Sequence, residues 1–264
     1  MAVAIFAVTA LTAAGASAAS ASEVIYTNLP SPLPGNFASV GNEAYSMSEI
    51  GGLVQFAGVA RKNPTVIVGM SSFGCQSGSW FAKDCSTPMG AKYEVPVSFS
   101  VYDIGPGNTV GAKIAGGSKV FKMPYRPSAS LKCTGANAGK WYGKGKCWNG
   151  KAFKIALPLK VAQLPAQAIL SVSYNTTNHG PHPIGTTACN STSAGCPYDS
   201  LNVALVEPSE GGATVGSDPT EDVYVNSTYS EMFCASGTPG TFGPASCPAF
   251  WEGSQAAFTV KAVE

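Results

Sequence analysis

The chain has 264 residues, a formal net charge of +1 and 12% charged residues, against the ~25% usual for soluble domains. So small a net charge argues against a nucleic-acid partner, which needs a clustered basic field. The length allows one substantial core, or at most two small ones.

Residues 1–21 read as a secretory signal peptide. Ala2 to Ala14 are apolar or small, and no charge precedes Glu23. Ala16-Ser17-Ala18 and Ala19-Ser20-Ala21 both fit an A-x-A cleavage signal. The positive n-region is missing, because Met1 is followed directly by Ala-Val-Ala; either the start lies too far downstream or the signal is atypical. A membrane anchor fits less well, since the apolar run falls short of the ~20 residues a bilayer span needs. No later segment could span a membrane, and no Cys follows the signal to accept a lipid. The expectation is a secreted protein with no stable membrane insertion once the signal is removed.

From residue 22 to 264 the pattern is that of one β-rich domain. Val24–Tyr26, Glu43–Ser48, Leu53–Ala57 and Pro64–Met70 are short extended runs separated by turn residues. Tyr93, Val95, Val97, Phe99 and Val101 then alternate with Glu94, Pro96, Ser98 and Ser100. Period two with one polar face predicts a half-buried strand. Pro96 cannot donate to a ladder, so an edge or a bulge is expected there. Gly105-Pro106-Gly107-Asn108 is a turn, followed by extended pieces at Ile114 and Val120–Met123. The alternation returns at Phe153–Val161, Gln167–Tyr174 and Ser200–Val206, and Phe258 and Val260 close the chain. No window longer than ten residues holds a 3.6 period. The fold class expected is all-β, an antiparallel sandwich of jelly-roll type with nine or ten short strands.

Eight cysteines, an even number, occur at 75, 85, 133, 147, 189, 196, 234 and 247. They form four close couples, each in a segment rich in Gly and Ser. Pairing neighbours (Cys75–Cys85, Cys133–Cys147, Cys189–Cys196, Cys234–Cys247) is the simplest of the connectivities that sequence leaves open. Such bridges would staple the long connections 71–92, 127–150, 175–199 and 226–255. No C-x-x-C pair occurs, so zinc is not expected. No other metal and no cofactor is expected.

Three segments carry candidate chemistry. Residues 173–205 hold both histidines, His179 and His182, with Asp199 nearby. Two histidines in a proline-stiffened loop can serve as a ligand pair or as general bases, or simply as an ordered turn. Residues 133–151 combine Trp141, Tyr142 and Trp148 with Lys140, Lys144, Lys146 and Lys151. Aromatics on a stapled loop can stack on sugars, and amines can meet phosphates or carboxylates of an anionic polymer. They can equally cover the edge of the core. Asp218, Glu221 and Asp222 form a small acidic cluster whose spacing fits no EF-hand, so a solvated loop is the reading preferred over calcium. There is no G-x-S-x-G elbow. The acids are too many to single out a glycosidase pair.

Several phrases stand out as a set: Phe56-Ala-Gly-Val-Ala-Arg61, Met70-Ser-Ser-Phe-Gly-Cys-Gln-Ser-Gly-Ser-Trp80, Tyr125-Arg-Pro-Ser-Ala-Ser130, Tyr174-Asn-Thr-Thr177 and Cys196-Pro-Tyr-Asp-Ser-Leu-Asn-Val-Ala-Leu205. Together they resemble a group of exported, uncharacterised proteins of high-GC Gram-positive bacteria. The resemblance implies export and a β-rich fold, and it carries no site residue across. The expected function is therefore a secreted, non-catalytic β-sandwich that binds a glycan or a cell-envelope polymer. The candidate contacts are Trp141, Tyr142, Lys144, Trp148, His179, His182 and Asp199. The alternatives are an extracellular hydrolase using carboxylates or His179 and His182, and a structural or adhesive surface protein.

Overall fold

The computed structural model describes residues 21–41, 45–80, 82–175, 201–207, 211–220, 222–229, 238–245 and 253–264. The strands among them, all paired antiparallel, are β1 (Glu23–Thr27), β2 (Ser39–Gly41), β3 (Met47–Gln55), β4 (Lys62–Ser72), β5 (Lys92–Ile104), β6 (Val110–Pro124), β7 (Trp141–Gly143), β8 (Lys146–Trp148), β9 (Lys151–Pro158), β10 (Gln167–Tyr174), β11 (Leu201–Val206), β12 (Val223–Ser227), β13 (Gly243–Ala245), β14 (Gln255–Ala256) and β15 (Phe258–Val263). Period-two burial builds them: Tyr93, Val95, Val97, Phe99 and Val101 of β5 are all buried, as the alternation predicts.

The strands form two large sheets and one small hairpin. The first sheet has β4 at its centre. β9 pairs with one side of β4; β15 and β11 share the other, and β1 and β2 lie beyond them. The second runs β13-β12-β3-β10-β5-β6. A single apolar cluster contains Val66, Val68 and Met70 of the first sheet and Val97, Phe99, Leu170 and Val225 of the second. The fold is thus an all-β sandwich, with the core between its sheets. A fully buried Val or Phe in such a core contributes about 1.5–3 kcal/mol. At one flank the border strands β6 and β9 meet, so close that a methyl on Gly117 would lie 3.3 Å from Leu157.

Both outer faces carry a second apolar layer. Leu29, Leu33 and Phe37 cover Ala204 and Val206 of the first sheet. Phe242 covers Leu53, Ile169 and Tyr224 of the second. That is why β10 and β11 are buried on both faces where alternation alone predicts one. Asn28 anchors the first cover: its amide donates to Ala256 O at 3.0 Å, and its carbonyl accepts from Phe258 N at 2.7 Å.

The structure departs from the sequence pattern in two places and decides between alternatives in a third. Gly51-Gly52 reads as a break but lies inside the nine-residue β3. A Cβ on Gly51 would fall 1.9 Å from Leu170 O, so glycine is there to let β10 approach. Pro96 sits in mid-strand without a bulge, at a local edge, one of the two settings expected for it. It lies just past the last β10 pair, Tyr174 with Val97, so at this point β5 has β6 as its one described partner. The pieces at 114 and 120–123 belong to one strand of 15 residues, whose irregular register falls opposite Val101–Ile104.

Candidate functional site

Two stapled loops converge at one end of the sandwich. Cys75 is bridged to Cys85, and Cys133 to Cys147, the neighbour pairing expected for both. Closing loops of 10 and 14 residues contributes about 2–3 kcal/mol each. The other four cysteines lie outside the described residues. The two loops are bonded to each other: Ala129 N donates to Cys85 O at 2.9 Å, and Thr87 N donates to Ser128 Oγ at 2.8 Å. Arg126 is the strut between them. Its backbone N donates to Gly74 O at 2.8 Å, and its buried guanidinium donates to Asn149 O and to Gly139 O. Burial lowers the guanidinium pKa to about 10.

Strands β7 and β8 form a hairpin on this frame. Trp141 pairs with Trp148, Tyr142 with Cys147 and Gly143 with Lys146. The two-residue turn places Lys144 at φ 51° and Gly145 at φ 76°. Positive φ at both central positions is the turn type whose twist matches a hairpin, and glycine serves the second at no steric cost.

Both tryptophans lock the hairpin down. Trp141 is buried, 6% exposed, and its Nε1 donates to Gly150 O at 2.6 Å. Trp148 donates from Nε1 to Gly143 O at 2.8 Å, and its indole lies against Gly35 where a Cβ would sit. Tyr142, on the opposite face of the hairpin from Trp141, is 43% exposed. The Lys132 ammonium lies 5.0 Å from its ring centroid, and the Lys151 ammonium lies 5.0 Å from that of Trp141.

An open groove of about 850 Å³ runs between residues 87–92, residues 124–132 and the hairpin. Its apolar lining includes Pro88, Ala91, Tyr125, Trp141 and Tyr142. Met89 and Leu131, both fully exposed, stand on its rims. Tyr125 is held by Tyr93, ring centroids 4.8 Å apart. Lys92, Lys132 and Lys151 line the groove, and among the described residues no carboxylate does.

The other sequence candidates fall elsewhere. Lys144 donates to Leu33 O and is not among the residues lining the groove. His179, His182 and Asp199 lie outside the described residues. Asp218 lines a separate hollow of about 330 Å³. Its carboxylate accepts from Tyr26 Oη and from Ala213 N at 3.1 Å. Burial raises its pKa although both hydrogen bonds oppose the shift. Burial, and the charge of Asp218, push the Tyr26 phenol far up. Among the described residues no three His, Cys, Asp or Glu side chains gather into a metal site. A third hollow of about 780 Å³, lined by 27–33 and by Lys154, Val206 and Thr259, lies over the outer face of the first sheet.

Met89, Leu131, Lys92 and Lys132 were not singled out by sequence. They sit in loop segments without a motif, and topology alone brings 87–92 beside 124–132. One signal was legible: lysine crowds into the middle of the chain. No family model, curated protein or solved structure matches the chain.

Proposed function

We propose that this protein is an exported, non-catalytic β-sandwich that binds a glycan or related cell-envelope polymer in the groove between the two stapled loops. The observation that carries the reading is the groove lining: an exposed tyrosine beside a buried tryptophan, on a frame fixed by two disulfides. A flat aromatic face next to hydrogen-bonding amines suits a sugar ring, which has apolar faces and a polar rim. A preorganised frame lowers the ordering cost of binding an extended chain. Export is supported by the apolar N-terminal run and by the bridges, which persist in oxidising compartments. No helix among the described residues is long and apolar enough to cross a membrane.

Co-sedimentation with purified cell walls tests the proposal. Tyr142→Ala is the variant of choice, because both tryptophans hold the hairpin and their removal would test its folding instead. The reading expects the wild type to pellet with walls and the variant to remain in solution. Equal pelleting of both would sink this groove as the site.

A further inference from the structure

The small net charge conceals a segregation. Residues 61–160 hold 15 of the 16 Lys and Arg but 3 of the 15 Asp and Glu; the rest of the chain holds one lysine and 12 acids. The fold turns this bias into geometry. Residues 61–160 span β4 to β9, so they supply the border strands β6 and β9, the flank where these meet, and the grooved end beside it.

The two arginines of this stretch add little to the outward field. Arg126 is buried as described, and Arg61 donates to four backbone oxygens, those of Phe56, Ala57, Gly58 and Ala60, at 2.7–3.1 Å. The field is therefore lysine. Among the described residues one ion pair occurs, Lys122 with Glu94 at 4.0 Å, and its side chains are 71% and 63% exposed. Exposed pairs of this kind contribute about 0–1 kcal/mol, so Lys122 is not neutralised in any lasting way. Lys92, Lys132 and Lys151 line the groove, and among the described residues no carboxylate lines it with them. Strand β6 carries the field onward through Lys119 and Lys122, both exposed.

An excess of ammonium groups along one flank raises the local concentration of an anion and lowers its cost of approach. An apolar aromatic floor adds a requirement that simple anions do not meet. We infer that the ligand of the groove is an anionic polysaccharide, carrying carboxylates or phosphodiesters at intervals along the sugar chain. One sugar lies on Tyr142, and the charges meet Lys92, Lys132 and Lys151. The chain continues over the β6–β9 flank. This inference rests on the polymer-binding reading above and names the class of polymer.

The test is titration of the full chain with four probes: polygalacturonate, the same polymer fully methyl-esterified, poly(N-acetylglucosamine 1-phosphate) and oligodeoxythymidine. The expected result is at least about tenfold tighter binding of polygalacturonate than of its ester, falling about tenfold again between 50 and 200 mM salt. If the recognised anion is a phosphodiester, poly(N-acetylglucosamine 1-phosphate) takes the place of polygalacturonate in that result, against the same methyl ester. The triple variant Lys92→Gln, Lys132→Gln, Lys151→Gln loses this preference, and Lys261→Gln, on β15, keeps it. Equal, salt-insensitive binding of acid and ester overturns the anionic assignment and leaves polymer binding standing. Binding of no polymer overturns both. Oligodeoxythymidine binding as tightly as either anionic polymer overturns the sugar requirement, and an unchanged triple variant overturns the placement.

Discussion

The sandwich body and its stapled end are held together by different physics. In the body, Val97, Phe99, Val172, Val203, Val225 and Phe258 are fully buried between ladders of backbone hydrogen bonds. At the stapled end the fully packed apolar groups are few: Cys75, Cys85, Cys133 and Trp141. Two disulfides, one buried arginine and a handful of backbone bonds take the place of a core there. Apolar burial is non-directional and spread over dozens of side chains, so the body tolerates most single changes. Directed bonds are few, so each one at the end matters locally. The groove is built on the second kind of structure and keeps its shape because the first kind stands beneath it.

The largest effect expected is in the body. Gly51→Ala puts a methyl into the Leu170 carbonyl, and relief requires parting β3 from β10. A loss of about 3 kcal/mol or more is expected, seen as a lower urea midpoint for the whole domain. A wild-type midpoint would show that the two strands are not so close. Next comes Arg126→Ala, which strips the carbonyls of Asn149 and Gly139 of their donor. About 2–4 kcal/mol is expected. The readout that separates end from body is amide exchange: faster at 74–91 and 126–150, unchanged in β5 and β10. Uniform acceleration would mean that the two regions unfold as one.

Replacing Cys133 and Cys147 by serine should cost about 2–3 kcal/mol, again read as faster exchange in the hairpin. Tyr142→Ala should shift stability by no more than about 0.5 kcal/mol while weakening polymer binding about tenfold. A large stability loss would reassign Tyr142 from ligand contact to packing. The smallest effect concerns Asp218. Its folded pKa is raised by burial, so the folded chain holds that proton to higher pH than the unfolded chain. The contribution favours folding below the ordinary carboxylate range and is lost as pH rises through the raised folded value. Asp218→Asn should flatten that part of the stability–pH curve. An unchanged curve would show the carboxylate to be hydrated.

Much of the body is legible in sequence because alternation is written residue by residue. Tyr93 to Val101 and Phe153 to Leu159 show their inward faces directly. Glycine and short strands are read less well. Gly51 looks like punctuation when it marks a close approach, and β12, five residues beside an acidic turn, carries too little pattern to stand out. At the end of the sandwich, sequence picks out the aromatic hairpin and the two bridges that frame it. It does not show that Trp141 and Trp148 spend their indole N–H groups on local carbonyls, or that Leu131 and Met89 line one groove. The indole bonds depend on side-chain orientation that composition does not show, and the groove on contacts between segments some 40 residues apart, which no local pattern encodes.

The central claim is that polymer binds at the stapled end. The most direct measurement is hydrogen–deuterium exchange of the full chain with and without polygalacturonate or poly(N-acetylglucosamine 1-phosphate), whichever binds. The account predicts new protection at 87–92, 125–132 and 141–151, with none at 27–33 over the outer face of the first sheet. Protection confined to 27–33, or absent from the whole chain at saturating polymer, would contradict it.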